Sequence, residues 1–110
     1  MRITREVRQD ITLFKIEGEV TLHHALQLRR TFDAFAKEGH KKVVVDLSSL
    51  DYIDSSGLAA LIQLHVATKK IGGVLNFCSL SENAQDVFEM AKLDTLFSTY
   101  KTVEDALTGF

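Results

Sequence analysis

The chain has 110 residues, a formal net charge of −2, 45% hydrophobic and 25% charged residues, and one cysteine. That describes a single domain with a core of its own, no internal disulfide, no cysteine metal cluster and no basic stripe for nucleic acid. No uncharged apolar run approaches the roughly 18 residues of a membrane span, and the charged start MRITREVRQD lacks the apolar stretch of a signal peptide, so a cytoplasmic chain is expected.

The first seventeen residues alternate. Ile3 and Val7 share one face, and Ile11, Leu13, Phe14 and Ile16 follow beyond Gln9-Asp10, which predicts two short strands joined by a turn. Gly18 punctuates the pattern. From Leu22, apolar residues at Leu22, Ala25, Leu26, Leu28, Phe32, Phe35 and Ala36 predict an amphipathic helix, with Thr21 as its N-cap and Gly39 just past its end. KVVVDL at 42–47 is a continuous β-branched run, the mark of a strand buried on both faces. Residues 48–54 then read as a connection to a second helix over about 56–70, whose inner positions include Leu58, Leu61, Ile62, His65 and Val66. Gly72-Gly73 stops that helix, and VLNFCSL predicts another strand. Ser81 opens a third helix with Ala84, Val87, Phe88 and Ala91 inward; a short strand over 97–100 and a last helix over about 102–108 complete the chain.

This order is β-β-α-β-α-β-α-β-α. It implies an α/β domain spanning 1–110, with a small, mostly parallel mixed sheet, an antiparallel N-terminal hairpin and helices packed against it.

Among the chemistry-bearing residues, Cys78 lies in an apolar strand and reads as a core residue. His23 and His24 are adjacent, so a helix points them about 100° apart, and no metal site is expected from them. His65 reads as a part-buried, hydrogen-bonded histidine and His40 as a surface one. Gly72-Gly73 follows a helix instead of opening one, which makes it a turn and not a phosphate cradle.

The stretch IDSSGLAAL at 53–61 holds more. The nucleophile elbow of hydrolases is G-x-S-x-G, but Ser55 has isoleucine in the first glycine position and the window for Ser56 lacks both glycines. No enzyme is expected. Asp and Ser at this place are good helix caps. Yet the segment also joins the carboxyl side of a buried strand to a helix, where α/β sheets present functional loops and where free N–H groups suit an added phosphate. Phosphate on a hydroxyl beside Asp54 would form a local charge switch.

VVVDLSSLDYIDSSGLAAL at 43–61 resembles the signature of STAS-domain anti-sigma factor antagonists, in which a D-L-S-type strand end is followed by D-S-[ST]-G-L at a helix start. GEV at 18–20 is similar to the family's G-E-[LI], and KKIGGVLNFCSLSENAQDVFEMAKLDTLF at 69–97 is similar to its K-x-x-G-G strand, V/L-F helix and short L-x-x-[IL]-F strand. The resemblance implies an unmodified antagonist that binds a serine-kinase anti-sigma factor with a histidine-kinase-like ATPase fold. It also implies phosphorylation of Ser55 by that kinase, and reversal by a PP2C-type phosphatase. Around Ser55, our reading assigns partner binding to Asp54, Ser56, Gly57, Leu58 and Thr21, with Asp54 as an organising acid and Gly57 allowing close approach. Thr21 stands where the family usually carries aspartate. Two other roles are compatible with the family: a never-phosphorylated subunit of a membrane-associated ABC-type lipid transport complex, and a nucleotide-binding module. The reading requires no cofactor, no metal, no nucleic acid and no membrane insertion, and the apolar positions fit a monomer with one core.

Overall fold

In a computed structural model that describes all of residues 1–110, the chain opens with a hairpin of β1 (Arg2–Arg8) and β2 (Ile11–Val20). Arg8 and Ile11 are paired across the turn, where Gln9 takes a left-handed φ of 57°. Then follow α1 (Leu22–Ala36), β3 (Lys42–Asp46), β4 (Leu50–Ile53), α2 (Ser55–Lys70), β5 (Val74–Cys78), α3 (Glu82–Met90), β6 (Ser98–Tyr100) and α4 (Val103–Leu107). The sheet order is β1-β2-β3-β5-β6. Only the β1–β2 pair is antiparallel, so the hairpin supplies the antiparallel edge of an otherwise parallel sheet, as expected.

The long strand β2 serves two neighbours. Its first half pairs with β3 from Thr12↔Val43 to Lys15↔Asp46, and its end pairs with β4 from Gly18↔Leu50 to Val20↔Ile53. The change of partner falls at Gly18, where φ is +84° and the register shifts. Glycine adopts that conformation without strain. The strand β4 corrects the expectation of a plain connection over 48–54. Its four residues bury Leu50 and Ile53 and expose Asp51 and Tyr52, so they lack the period of two that betrays a strand. Pairing with the far end of β2 is what makes them one.

The expected two-sided burial of β3 is present. Val43 and Val45 join the main core with Phe14, Ile16, Leu28, Phe32, Leu61, Leu64, Phe77 and Phe88, under α1, α2 and α3. Val44 faces the other way, into a small cluster with Ile11, Leu13, Cys78 and Ala106 of α4. Cys78 is fully buried there, and burial pushes its thiol up to about 11, which keeps it a protonated packing group. His65 is buried too, but the expected hydrogen bond is missing. Its ring packs on Phe97 (5.1 Å between centroids), and Nδ1 is buried without a partner. No helix is long and apolar enough to cross a membrane.

The inner face of α1 is narrower than its apolar residues suggest. Ala25, Leu28, Phe32 and Phe35 are buried, whereas Leu22 is 71% and Leu26 57% exposed. At about 100° per residue, Leu22, Leu26, Arg29 and Asp33 fall together on one flank of the buried stripe. That flank borders α2.

Candidate functional site

The ends of β2 and β4 lie side by side, with Val20 opposite Ile53, and each strand runs directly into a helix. Asp54 N–H donates to the Val20 carbonyl (3.1 Å), so the ladder continues up to the first residue before α2. The register therefore brings the heads of α1 and α2 together. Thr21 is the N-cap of one and Asp54 of the other.

One carboxylate serves both. Asp54 Oδ1 accepts from the N–H groups of Ser56 (3.0 Å) and Gly57 (3.1 Å), which caps α2. Its Oδ2 accepts from the N–H of Leu22 (2.9 Å), the first residue of α1. A full negative charge thus sits at two positive helix ends at once, the favourable sign in both cases. Neither helix has an acidic residue of its own in the first turn. Thr21 is held differently from an ordinary cap: its N–H donates to Nδ1 of His24 (3.4 Å), and its hydroxyl lies 3.3 Å from the same nitrogen. His24 is therefore a local helix-end group. His23 is exposed, and His40 packs flat on Phe35 (5.1 Å) beside Glu38.

Ser55 is the first residue of α2 and is exposed. The cap is built from Asp54 oxygens and leaves the Ser55 hydroxyl outside that bonding. Ser56 is half-buried and Leu58 packs against the core from its edge, so only a part of each faces outward. Gly57 has a different role from the close approach expected of it. It is buried, and a Cβ there would lie 2.6 Å from Ile53 Cγ1 and 2.8 Å from Val20 Cγ1. Glycine lets the first turn of α2 sit down on the paired ends of β2 and β4, which fixes where Ser55 stands.

The site also contains residues that sequence reasoning missed. Leu22, Ala25, Leu26 and Arg29 of α1 line a shallow hollow of about 170 Å³ with Ser56 of α2. Its apolar wall comes from α1, not from the DSSGLAAL helix. One signal was present: the apolar residues of 22–36 spread over too wide an arc for a single buried stripe.

What the arrangement offers is a free hydroxyl, a neighbouring carboxylate engaged by both helix heads, and an exposed apolar wall. No residue of the cap is placed as a base toward Ser55 by the bonds that hold it.

The family model for the STAS domain matches residues 2–106. The chain is 28% identical over 110 residues to BtrV of Bordetella bronchiseptica, a candidate anti-sigma factor antagonist, with 100% of this chain and 95% of that protein covered. It is 31% identical over 96 residues to the anti-sigma-B factor antagonist of Bacillus subtilis, covering 84% of this chain and 86% of that one. The fold is similar to the Bacillus cell fate determinant SpoIIAA in its phosphorylated form, with a TM-score of 0.76, 19% identity and 96% of each chain covered. The mixed sheet, the DSSG helix head and the match over nearly all residues agree: the chain belongs to the STAS domain family.

Proposed function

We propose that this chain is an anti-sigma factor antagonist, a protein-binding regulator without enzymatic activity, gated by phosphorylation of Ser55. The observation that carries this is the exposed Ser55 hydroxyl beside the Asp54 carboxylate that ties α1 to α2. The names of the relatives and the existence of a phosphorylated SpoIIAA support it.

In the unmodified state the mouth between the two helix heads presents Leu22 and Leu26 to a partner, with Ser55 at its rim. The partner is a serine-kinase anti-sigma factor with a histidine-kinase-like ATPase fold, met in the cytoplasm. The terminal phosphoryl group passes from the kinase's ATP to Ser55 Oγ: its bond to the bridging oxygen breaks and ADP leaves as the new P–O bond forms, while the hydroxyl proton goes to a base of the kinase. The phosphate carries about −1.5 to −2 charges. At an N1 position those charges would normally be welcome. Here the Asp54 carboxylate already holds the N–H groups of Leu22, Ser56 and Gly57, so the phosphate meets a fixed negative neighbour and projects toward the contact surface. A hundredfold loss of partner affinity requires about 2.7 kcal/mol, and burying a dianion against an apolar contact exceeds that readily. A PP2C-type phosphatase restores the free hydroxyl. Thr21 leaves Asp54 as the one carboxylate of the clamp, and we assign it and Asp54 to the shape of the mouth.

The test is phosphopeptide mapping of the protein from its own cells in growth and under stress. It is joined to affinity measurements of wild type, Ser55→Ala and Ser55→Asp with the co-purifying kinase. Phosphate on Ser55 that varies with condition, with Ser55→Ala binding like the free form and Ser55→Asp losing the kinase, is the expected result. Equal binding by both variants, or no phosphate under any condition, overturns the gate and favours a structural subunit.

A further inference from the structure

The seam between α1 and α2 extends well beyond the mouth. Both helices start at the Asp54 clamp and pack along one another. After the hollow at Leu22, Leu26, Arg29 and Ser56, a second one of about 350 Å³ follows on the same side, lined by Asp33 of α1 and by Ile62, Val66 and Lys70 of α2. The 14-residue step from Ser56 to Lys70 spans about 21 Å of helix, the length of nearly four turns. Val66 is 55% exposed, and Ile62 is half-buried at the edge of the core. The apolar side chains therefore recur at one-turn intervals on both walls, the pattern a docked amphipathic helix reads.

The cations lining this seam, Arg29 and Lys70, outnumber its one lining carboxylate and make no ion pair. The chain's ion pairs involve Arg2, Arg5, Arg8, Lys15, His40 and Lys42; Arg29, Arg30, Lys69 and Lys70 take part in none. Arg29 stands between the two hollows, and its Nε is buried with no hydrogen-bond partner. The buried Nε is closed to a docking partner, but the terminal nitrogens of Arg29 are open and make no hydrogen bond, and such a pair suits a carboxylate held on both. Asp33 is the single carboxylate lining the seam.

We propose that the α1–α2 seam seats an amphipathic helix of the kinase partner, with a partner carboxylate anchored on Arg29 and apolar side chains on Leu22, Leu26 and Val66. This rests on the antagonist reading above and says what the partner brings to that site. It also gives the phosphate its direction of action. An acidic occupant is repelled by a dianion at the head of its own seat, whereas a basic occupant would be drawn in by it.

The experiment places a photo-crosslinking p-benzoylphenylalanine at Leu26, and separately at Val66, in the full chain in its own cells, and maps the captured segment. The expected result is one continuous kinase segment caught from both positions, with Asp or Glu within one helical turn of its apolar residues. With the purified kinase, Arg29→Glu should lower affinity by at least about tenfold, and reversing the charge of the mapped acid should restore it. Denaturation midpoints of Arg29→Glu and Arg29→Gln, equal to wild type, show that the fold is intact. The proposal is overturned by a captured segment without a carboxylate, by capture of a second copy of this chain or of lipid alone, or by unchanged affinity of Arg29→Glu. It is equally overturned when neither position captures a kinase that wild type binds in solution. In that last case the antagonist reading survives; a wild type that binds no kinase ends both.

Discussion

Two serines open helices in this protein and are used in opposite ways. Ser81, the N-cap of α3, is half-buried and fully bonded: its hydroxyl donates to the Leu50 carbonyl (2.7 Å) and accepts from the Ala84 N–H (3.2 Å). It fastens α3 to β4. Ser55 at the head of α2 is exposed and stands outside the capping bonds, because the preceding aspartate makes them. A serine at a helix start is thus structural or available according to which residue caps, and a carboxylate that reaches two helices frees the hydroxyl beside it.

The sharpest way to break this contrast is to remove the shared carboxylate. Asp54→Ala deletes the cap of α2 and the acceptor of Leu22 together, and a loss of about 2–3 kcal/mol is expected from two caps and two charge–dipole contacts. Asp54→Asn keeps one acceptor oxygen and should lose about half as much. Urea denaturation measures both, and an Asn variant as weak as the Ala variant would deny the double use. Gly57→Val tests the seat of the same helix. Its side chain would collide with Ile53 and Val20, and about 2 kcal/mol of overpacking is expected. Ser81→Ala removes a cap and leaves the Leu50 carbonyl short of a donor, for about 1–2 kcal/mol. Ser55→Ala should stay within about 0.5 kcal/mol of wild type, the ordinary range for an exposed side chain. A larger loss there would make Ser55 a second Ser81.

A further comparison within α2 sets the satisfied Asp54 against the unsatisfied His65. Burial, and then the charge of Lys69, push the His65 pKa below its usual 6.5. The unfolded chain therefore binds a proton that the folded chain resists. Stability from this residue is complete above pH 6.5 and declines as pH falls below it toward the folded value. His65→Phe should flatten that part of the stability profile, as measured by denaturation midpoints at several pH values.

Much of this was legible before any coordinates. The β-branched KVVVDL run can hardly be anything but a two-sided strand, and Thr21, Ser81 and the glycines after α1 and α2 mark helix ends by local chemistry. DSSG declared a helix head with a hydroxyl to spare. Local sequence determines such features because caps, turns and periodicity act within a few residues. It misled at Gly57, whose small size serves Ile53 and Val20, and at Leu22 and Leu26, which look like core in a helix pattern but lie on its flank.

What tertiary structure alone decided is the set of relations between distant segments. The strand β4 exists because β2 is long enough to pair beyond Gly18, and that pairing puts residue 54 beside residue 22. No spacing in the sequence announces that one aspartate bonds to a helix 32 residues earlier. The same packing leaves the flanks of α1 and α2 facing each other, with Arg29 between them and unpaired. The sequence by itself determined the elements, the family signature and the candidate serine, since these are written in contiguous residues. The mouth, the clamp and the seam arise from parallel strand register, a long-range interaction that sums over many contacts and leaves no local trace.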